Sequence, residues 1–290
     1  MMFEKVLYPT DFSERAALML DCIAGIPQVR EVILLHVVKE TRYPMGTDYI
    51  DKMAKENAER TLAEAQQYLR SINPEIRVTL DTTISSDIAE EILATADKSG
   101  ADLIVISARQ TGVKGGILLG RVASTLTCRI SKTHILVMRH KIIDSLTGPA
   151  YEKFCPLLFS RILCPTDFSR FSEHATDLAG TMGESGEIIL LHVVPDGGPS
   201  GEIAEAVRAA EMRVGAACDH LAAQGVRCRA IVRTGDPATG IMKAAEEQDV
   251  SVIWISSYGK GCLQDFLLGS TVQDVAMNAT RPVIIIRSGE

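Results

Sequence analysis

The sequence predicts an α/β protein built from two doubly wound domains, each with a parallel five-stranded sheet flanked by helices. Short, continuous apolar segments alternate with segments of helical spacing, which is typical of parallel strands joined by helical crossovers. The pattern occurs twice within 290 residues, a length that usually accommodates two domains. We therefore expect one domain at 1–140, a connector at 141–160 and a second domain at 161–290.

The duplication is visible in matched segments that keep the same order. VLYPTDFS at 6–13 recurs as ILCPTDFS at 162–169, and EVILLHVV at 31–38 recurs as EIILLHVV at 187–194. Both pairs are offset by 156 residues, and later segments match at a smaller offset, so the second copy has a shorter middle. A repeat of this length is a whole domain rather than a solenoid turn.

The elements of the first copy follow from its apolar pattern. The predicted strands are VLY, VILLHVV, IRVTL, LIVIS and ILVMR. Helical spacing predicts helices over 13–26, 49–69 and 88–96, and Ser86 and Asp87 are good N-cap residues for the third helix. In such sheets ligands bind beyond the carboxyl ends of the strands, where the strand order reverses, so we expect a site after strands 1, 2 and 4.

The connector is broken by a Gly-Pro pair and becomes apolar from Tyr151 to Phe159. An apolar segment of this kind favours packing against a domain, so we expect a docked connector rather than a free tether.

Strand 1 ends in Pro-Thr-Asp-Phe-Ser in both copies. Asp11 and Asp167 are either N-cap residues of the following helix or acceptors for a ribose hydroxyl or an adenine amino group. The residues alone leave both interpretations open, because Ser13 and Ser169 could cap the helix as well.

Strand 2 ends in His-Val-Val in both copies. We interpret His36 and His192 as hydrogen-bonded structural residues rather than catalytic ones. Val37 and Val193 follow them and could line an apolar slot for a base.

The segment after strand 4 differs most between the copies. In the second copy Gly259 and Gly269 lie ten residues apart, and Ser270 and Thr271 follow at the predicted start of a helix. Glycine lets backbone amides approach a phosphate, and a helix N-terminus attracts anions. A glycine-rich loop that ends in an N-capping serine is the structural alternative. The first copy keeps Gly120 but has Gln110 and Arg121 at the other matched positions.

These features together resemble the universal stress protein family. The resemblance is carried by PTDFS, by LLHVV and by the glycine loop that leads into LLGS, and it covers both copies. Nucleotide-binding members of the family carry G-x2-G-x9-G-S/T. The second copy matches three of these four positions, with Ser256 in place of the first glycine, and the first copy matches one.

The resemblance implies an adenine-nucleotide-α-hydrolase-like fold and a bound adenine nucleotide, ATP or AMP. Asp167 would hold the ribose or the base, Val193 would contact the adenine, and the glycine loop would hold phosphates. The binding residues that we predict are Pro165, Thr166, Asp167, Val193, Ile255, Ser256, Gly259, Gly269, Ser270 and Thr271, with Asp11, Val37, Gly120 and Arg121 in the first copy.

The first copy departs from the nucleotide-binding pattern in two ways. Gln110 has a Cβ where the backbone should approach a phosphate, and Arg121 is bulky, although its guanidinium could itself pair with a phosphate. This copy is therefore either empty or holds a nucleotide with fewer phosphates, such as AMP.

Members of the family commonly dimerise through the last strand of each domain. ILVMR and VIIIR would then meet as edge strands that cover each other, so that one chain forms an internal pseudo-dimer. Association of two chains into a homodimer stays open, and the sequence does not identify a protein partner.

Composition excludes several other classes of function. Thirty Lys and Arg residues against 37 Asp and Glu residues give a net charge of −7, which argues against a nucleic-acid partner. No apolar run approaches the roughly 18 residues of a membrane span, and the start of the chain does not resemble a secretory signal. Seven cysteines without C-x-x-C spacing predict small buried residues in a reducing cytoplasm rather than a disulfide framework.

Motifs of catalysis are missing from the sequence, so we expect a regulator rather than an enzyme. There is no P-loop, no G-x-S-x-G, no H-E-x-x-H and no metal spacing among the six histidines. Asp265 is a candidate ligand for a magnesium ion, with a solvated helix residue as the alternative. The competing hypotheses are a slow ATPase or self-phosphorylating enzyme, and a scaffold that no longer binds nucleotide.

Overall fold

A computed structural model describes residues 3–40, 47–108, 120–129, 132–139, 157–182, 186–259 and 268–287. The first half contains strands β1 (Lys5–Pro9), β2 (Glu31–Lys39), β3 (Arg77–Ser85), β4 (Leu103–Ala108) and β5 (His134–Arg139). Its helices are α1 (Glu14–Ala24), α2 (Thr47–Ile72), α3 (Ile88–Ser99) and α4 (Arg121–Cys128). The three helices that the sequence predicts in this half lie within three residues of α1, α2 and α3 at each end.

The second half repeats the same succession of elements. Its strands are β6 (Arg161–Pro165), β7 (Glu187–Val194), β8 (Arg227–Thr234), β9 (Val252–Ser256) and β10 (Val283–Ile286). Its helices are α5 (Arg170–Met182), α6 (Ser200–Ala223), α7 (Pro237–Glu247) and α8 (Ser270–Asn278).

The ten strands form one sheet in the order β3-β2-β1-β4-β5-β10-β9-β6-β7-β8. Within each half the pairs are parallel, and the strand order reverses beside the first strand of that half. This confirms the predicted doubly wound α/β fold. β5 and β10 pair antiparallel, with Leu136 opposite Ile284, so ILVMR and VIIIR do cover each other's edges.

The strands diverge at the reversal point of each half. β6 and β9 pair only at Ile162 with Val252 and at Leu163 with Ile253, although β6 continues to Pro165. β1 and β4 likewise pair at two positions. The separation opens a crevice at the carboxyl edge, which is where open α/β sheets bind ligands.

One apolar core extends across both halves on one face of the sheet, and each half has a separate core on the other face. In the shared core Phe3 of the first half lies 5.9 Å from the Trp254 ring of the second. Phe159 packs against both rings, and Leu158 is also buried. Leu158 and Phe159 belong to the last part of the predicted connector. Its earlier part, residues 141–156, lies outside the described residues.

The cysteines differ from the prediction of free thiols. Cys218 on α6 and Cys228 on β8 form a disulfide with a Cα–Cα distance of 5.2 Å, and Cys22 is also disulfide-bonded. The expectation was wrong because it rested on spacing along the chain, whereas α6 returns antiparallel beside β8 and brings residues ten apart together. Cys164 is free and buried, as predicted.

Candidate functional site

A cavity of about 550 Å³ opens at the carboxyl edge of the second half. It lies between the ends of β6, β7 and β9 and the N-terminus of α8. All ten residues predicted for the second copy line it: Pro165, Thr166, Asp167, Val193, Ile255, Ser256, Gly259, Gly269, Ser270 and Thr271. The structure therefore brings together segments that are separated by about 100 residues in the sequence.

The carboxylate of Asp167 is held in place by two donors. Its Oδ1 accepts from the Ser169 amide at 3.0 Å and from the Ser172 hydroxyl at 2.9 Å. The Ser169 hydroxyl in turn accepts from the Ser172 amide at 3.3 Å, so Ser169 rather than Asp167 caps α5. In the first half Ser13 caps α1 in the same way, and Asp11 accepts from the Ser13 amide at 3.1 Å. The N-cap interpretation of both aspartates is therefore wrong.

The histidine that ends the second strand packs against this turn. His192 Nδ1 lies 2.7 Å from the Thr166 carbonyl oxygen, and its ring lies 4.4 Å from the Phe168 ring. Because a carbonyl only accepts, Nδ1 carries the proton. Phe168 has a φ of 61°, an unusual conformation for a bulky residue, and the histidine packs against the aromatic ring that this conformation presents.

The first half contains the same arrangement. His36 Nδ1 lies 2.8 Å from the Thr10 carbonyl oxygen and its ring stacks on Phe12 at 4.2 Å, with Phe12 at a φ of 58°. The interpretation of both histidines as hydrogen-bonded residues is confirmed. The repeated PTDF and HVV segments thus build one local structure twice.

Gly259 lies against the carboxylate of Asp167. A Cβ at this position would lie 2.5 Å from Asp167 Oδ2, so one of the two groups would have to shift. The sequence predicts a glycine here for another purpose, the approach of a phosphate to the backbone. The carboxylate is held by its other oxygen, so a side chain at Gly259 would have to displace it.

The N-terminus of α8 faces the cavity with a glycine as its N-cap. Gly269 has no side chain to accept hydrogen bonds from the first amides of the helix, and Ser270 and Thr271 add hydroxyl groups in the same turn. Exposed amides at a helix N-terminus carry partial positive charge and bind anions. This end of the cavity is therefore suited to a phosphate or another anion.

The opposite wall of the cavity is apolar. Leu191, Val193 and Ile255 come from the strands, and Ile241 comes from α7. Helix α7 packs closely against Val193 at Gly240, where an added Cβ would lie 3.0 Å from a Val193 methyl group. Such a wall suits a flat aromatic ring. Asp167 is the one carboxylate among the described lining residues, and none of these residues is a lysine or an arginine.

Several lining residues were missed by the sequence reasoning. They are Ser172, Leu191, Pro195, Pro237, Ile241, Tyr258 and Val272. His192 also lines the cavity, although it was interpreted as structural only. A signal was available for the α7 residues, since Asp236 caps that helix and Pro237 follows it, which places the helix start at the same edge of the sheet.

Comparison with known proteins agrees with this geometry. The sequence profile described as the Universal stress protein family matches residues 2–137 and 158–287. The chain belongs to the universal stress protein family. A universal stress protein of Mycolicibacterium smegmatis is 26% identical over 267 residues, which cover 88% of this chain and 87% of the relative.

Other relatives in the family match either one domain or both. A universal stress protein of Methanocaldococcus jannaschii is 27% identical over 157 residues, covering 48% of this chain and 96% of that protein. The crystal structure of a universal stress protein from Archaeoglobus fulgidus has a TM-score of 0.71 at 23% identity, covering 99% of this chain and 97% of that one. The likeness to the Archaeoglobus fulgidus structure shows the same two-domain fold.

The predicted residues of the first half lie at the matching edge of the universal stress protein fold. Asp11 is exposed after β1, Val37 is buried on β2, Gly120 is the N-cap of α4, and Arg121 begins that helix with an exposed side chain. Gln110 lies outside the described residues, as does Asp265 of the second half.

Metal ions and membranes are two further classes of possible partner. Within the described ranges no three His, Cys, Asp or Glu side chains cluster as a metal site. Among the described helices none is long and apolar enough to cross a membrane.

Proposed function

We propose that the cavity of the second half binds an adenine nucleotide, ATP or AMP, and that the chain acts as a stress-response regulator. The observation that carries this proposal is the convergence of three kinds of group in one cavity. An apolar wall, a fixed carboxylate and an uncapped helix N-terminus match the base, the ribose and the phosphates of one ligand. Membership of the universal stress protein family supports the same assignment.

Each part of the nucleotide has a candidate binding surface. Val193 and Ile255 would contact the adenine, and Asp167 would accept hydrogen bonds from ribose hydroxyls. Gly269, Ser270 and Thr271 would bind phosphate oxygens through amide and hydroxyl groups. The volume of about 550 Å³ falls in the range of about 300–1,000 Å³ that is usual for small-molecule sites.

A regulatory role fits the groups that the cavity contains. None of the described lining residues is a lysine or an arginine, the side chains that commonly stabilise the charge that develops during phosphoryl transfer. When ATP is the ligand, a magnesium ion would neutralise charge on the phosphates, and Asp265, the candidate ligand from the sequence, lies outside the described residues. Regulation then requires that nucleotide bind one conformation, or one complex with a partner, better than another.

The quaternary proposal follows from the joint between the halves. We propose that the β5–β10 pairing makes the chain an internal pseudo-dimer, in which the two halves present their carboxyl edges from one continuous sheet. Light scattering of the purified chain would measure whether two chains associate further.

The first experiment is to denature the purified protein and analyse the released small molecules by chromatography and mass spectrometry. Titration of nucleotide-free protein with ATP, ADP and AMP then measures affinity. We expect saturable binding of ATP or AMP. Protein that releases no adenine nucleotide and binds none in titration would favour the scaffold hypothesis, and multiple-turnover release of phosphate from ATP would favour an ATPase.

A further inference from the structure

Arg139 ends β5 in the first half, but its side chain contacts the second half. The residue is 1% exposed. Its Nη2 lies 2.6 Å from the carbonyl oxygen of Ala276 and 3.4 Å from that of Val275, and its Nε lies 3.4 Å from that of Arg281. The guanidinium therefore binds the C-terminal end of α8 across the joint.

Helix α8 has no cation of its own at this end. Its last turn contains no basic residue, and its C-cap is Ala279. The last carbonyl groups of a helix lack intrahelical partners and carry partial negative charge, so a buried guanidinium satisfies both requirements. The first half thus supplies the cation that binds the C-terminal carbonyl groups of a helix of the second half.

The arrangement is reciprocal. Arg287, at the matching position after β10, donates from Nη2 to the carbonyl oxygens of Thr127 at 2.9 Å and Arg129 at 3.0 Å, at the end of α4. Helix α4 also lacks a basic residue in its last turn. Burial lowers the pKa of Arg287 below its usual value and lowers that of Arg139 to about 10, at which Arg139 is still charged at neutral pH.

Burying these guanidinium groups is costly. Within the described residues Nη1 of Arg139 is buried without a hydrogen-bond partner. Buried charges often add little net stability compared with an apolar side chain of similar size, and their best-attested role is to fix one arrangement of elements. The contact is therefore better suited to positioning α8 than to stabilising the chain.

The other end of the same helix lines the cavity. Helix α8 has nine residues and is about 13 Å long, so its two ends are displaced together as long as the helix stays intact. Gly269, Ser270 and Thr271 at its N-terminus are the proposed phosphate-binding residues. A displacement at the end held by Arg139 would move these groups as well.

We propose that Arg139 is a positioning residue for the cavity of the second half, so that the nucleotide site is complete only when the first half is docked against it. The proposal rests on the proposed function. It also makes the coupling reciprocal, because a ligand that prefers the positioned helix must strengthen the joint by the same free energy.

The test is equilibrium titration of ATP and AMP into the wild-type chain, Arg139→Met, Arg139→Lys and Arg77→Met. Arg77 is the matched control, since it is an exposed arginine of the first half that lies on β3, at the edge of the sheet farthest from the second half. We expect about a tenfold loss of affinity in Arg139→Met, partial recovery in Arg139→Lys, and a change of no more than about twofold in Arg77→Met.

Amide hydrogen exchange in the wild-type chain gives a second readout that does not depend on a variant folding. We expect ATP to slow exchange at both ends of α8 and at the end of β5. Protection confined to the N-terminal turn of α8, or equal affinities in wild type and Arg139→Met, would overturn the positioning role while leaving the proposed function intact. Failure of the wild-type chain to bind either nucleotide would overturn both.

Discussion

The two halves of the chain share a local structure at the end of their first strand. They differ in the residues at several matched positions that line the cavity of the second half. In each half a serine caps the first helix, an aspartate accepts from that serine's amide, and a histidine packs on a phenylalanine of positive φ. The matched positions that differ include Ala16 for Ser172, Gln110 for Gly259, and Arg121 for Ser270.

This difference separates residues that the fold requires from residues that a ligand would require. The histidine and phenylalanine occur in both halves because they hold the turn together. Ser172 and Gly259 both act on Asp167, one by donating to its Oδ1 and one by leaving room for its Oδ2. The first half has neither group at the matched positions, and its Asp11 is exposed. We therefore expect Asp167, rather than Asp11, to take part in the proposed nucleotide binding.

The largest effect is expected from Gly259→Val. The new side chain would displace the Asp167 carboxylate and fill part of the cavity, because even a Cβ would lie 2.5 Å from Oδ2. Loss of a hydrogen bond to a charged group, with the steric block added, predicts at least about a 100-fold weaker affinity for ATP or AMP in titration.

Gly215→Ala is the control for that substitution. Gly215 lies on α6, and an added Cβ there meets no atom within 4 Å. We expect it to bind nucleotide as the wild type does. Equal affinities in the Gly259→Val and Gly215→Ala variants would contradict the placement of the ribose beside Asp167.

The next effect is expected from Asp167→Asn compared with Asp11→Asn. Asparagine keeps one acceptor oxygen but loses the negative charge, so the affinity for nucleotide should fall about tenfold in the second half. The same change at Asp11 should leave the high-affinity binding unaltered. A larger loss from Asp11→Asn in the same titration would show that the first half holds the nucleotide.

A smaller effect is expected from Ser172→Ala, which gives the second half the residue of the first. The variant removes the 2.9 Å bond to Asp167 Oδ1 and leaves the one from the Ser169 amide. A hydrogen bond to a charged group contributes about 1.5–3 kcal/mol, but the Ser169 amide still orients the carboxylate, so only part of this is lost from binding and we expect about fivefold weaker affinity. An unchanged dissociation constant would show that Ser169 alone orients the carboxylate.

The smallest effect concerns His134, whose matched residue in the second half is Pro282. Its Nδ1 accepts from the Arg287 amide at 3.0 Å, so the folded chain requires the neutral ring. Burial, together with the charges of His174 and Arg287, lowers the pKa of His134 to about 4. The unfolded chain then takes up the proton first, and stability that is complete above about pH 6.5 declines as the pH falls toward 4.

We expect the free energy of unfolding to fall by somewhat under 1 kcal/mol between pH 7 and pH 6 through this group. Urea unfolding of wild type and His134→Gln across that range measures the difference. If the unfolding free energy of His134→Gln depends on pH as steeply as that of wild type, His134 is not the cause of this pH dependence.

Much of the fold could be predicted because each half repeats the same signals. Buried parallel strands have continuous apolar sequences such as EVILLHVV, and the offset between the two copies gives the length of one domain. The pairing of β5 with β10 was expected from the family resemblance, not from the apolar pattern, since an edge strand and a central strand have the same composition here.

The site could be predicted where residues end a strand, follow it closely or belong to the glycine motif. Asp167, Val193 and Gly269 are examples of each, and all three line the cavity. The cap at Asp236 shows where α7 begins but not which of its residues face the cavity, and the Cys218–Cys228 bond depends on how α6 returns beside β8. The contact between Gly259 and Asp167 also needed coordinates, because it joins segments 92 residues apart in the chain.

The central claim is that the cavity beside Asp167 holds the nucleotide. Calorimetric titration of ATP and AMP into wild type and Gly259→Val tests it most directly. The account predicts saturable binding to wild type and none at comparable concentration to the variant. Binding of equal strength to both proteins, or no heat of binding in the wild-type chain after bound nucleotide has been removed, would contradict it.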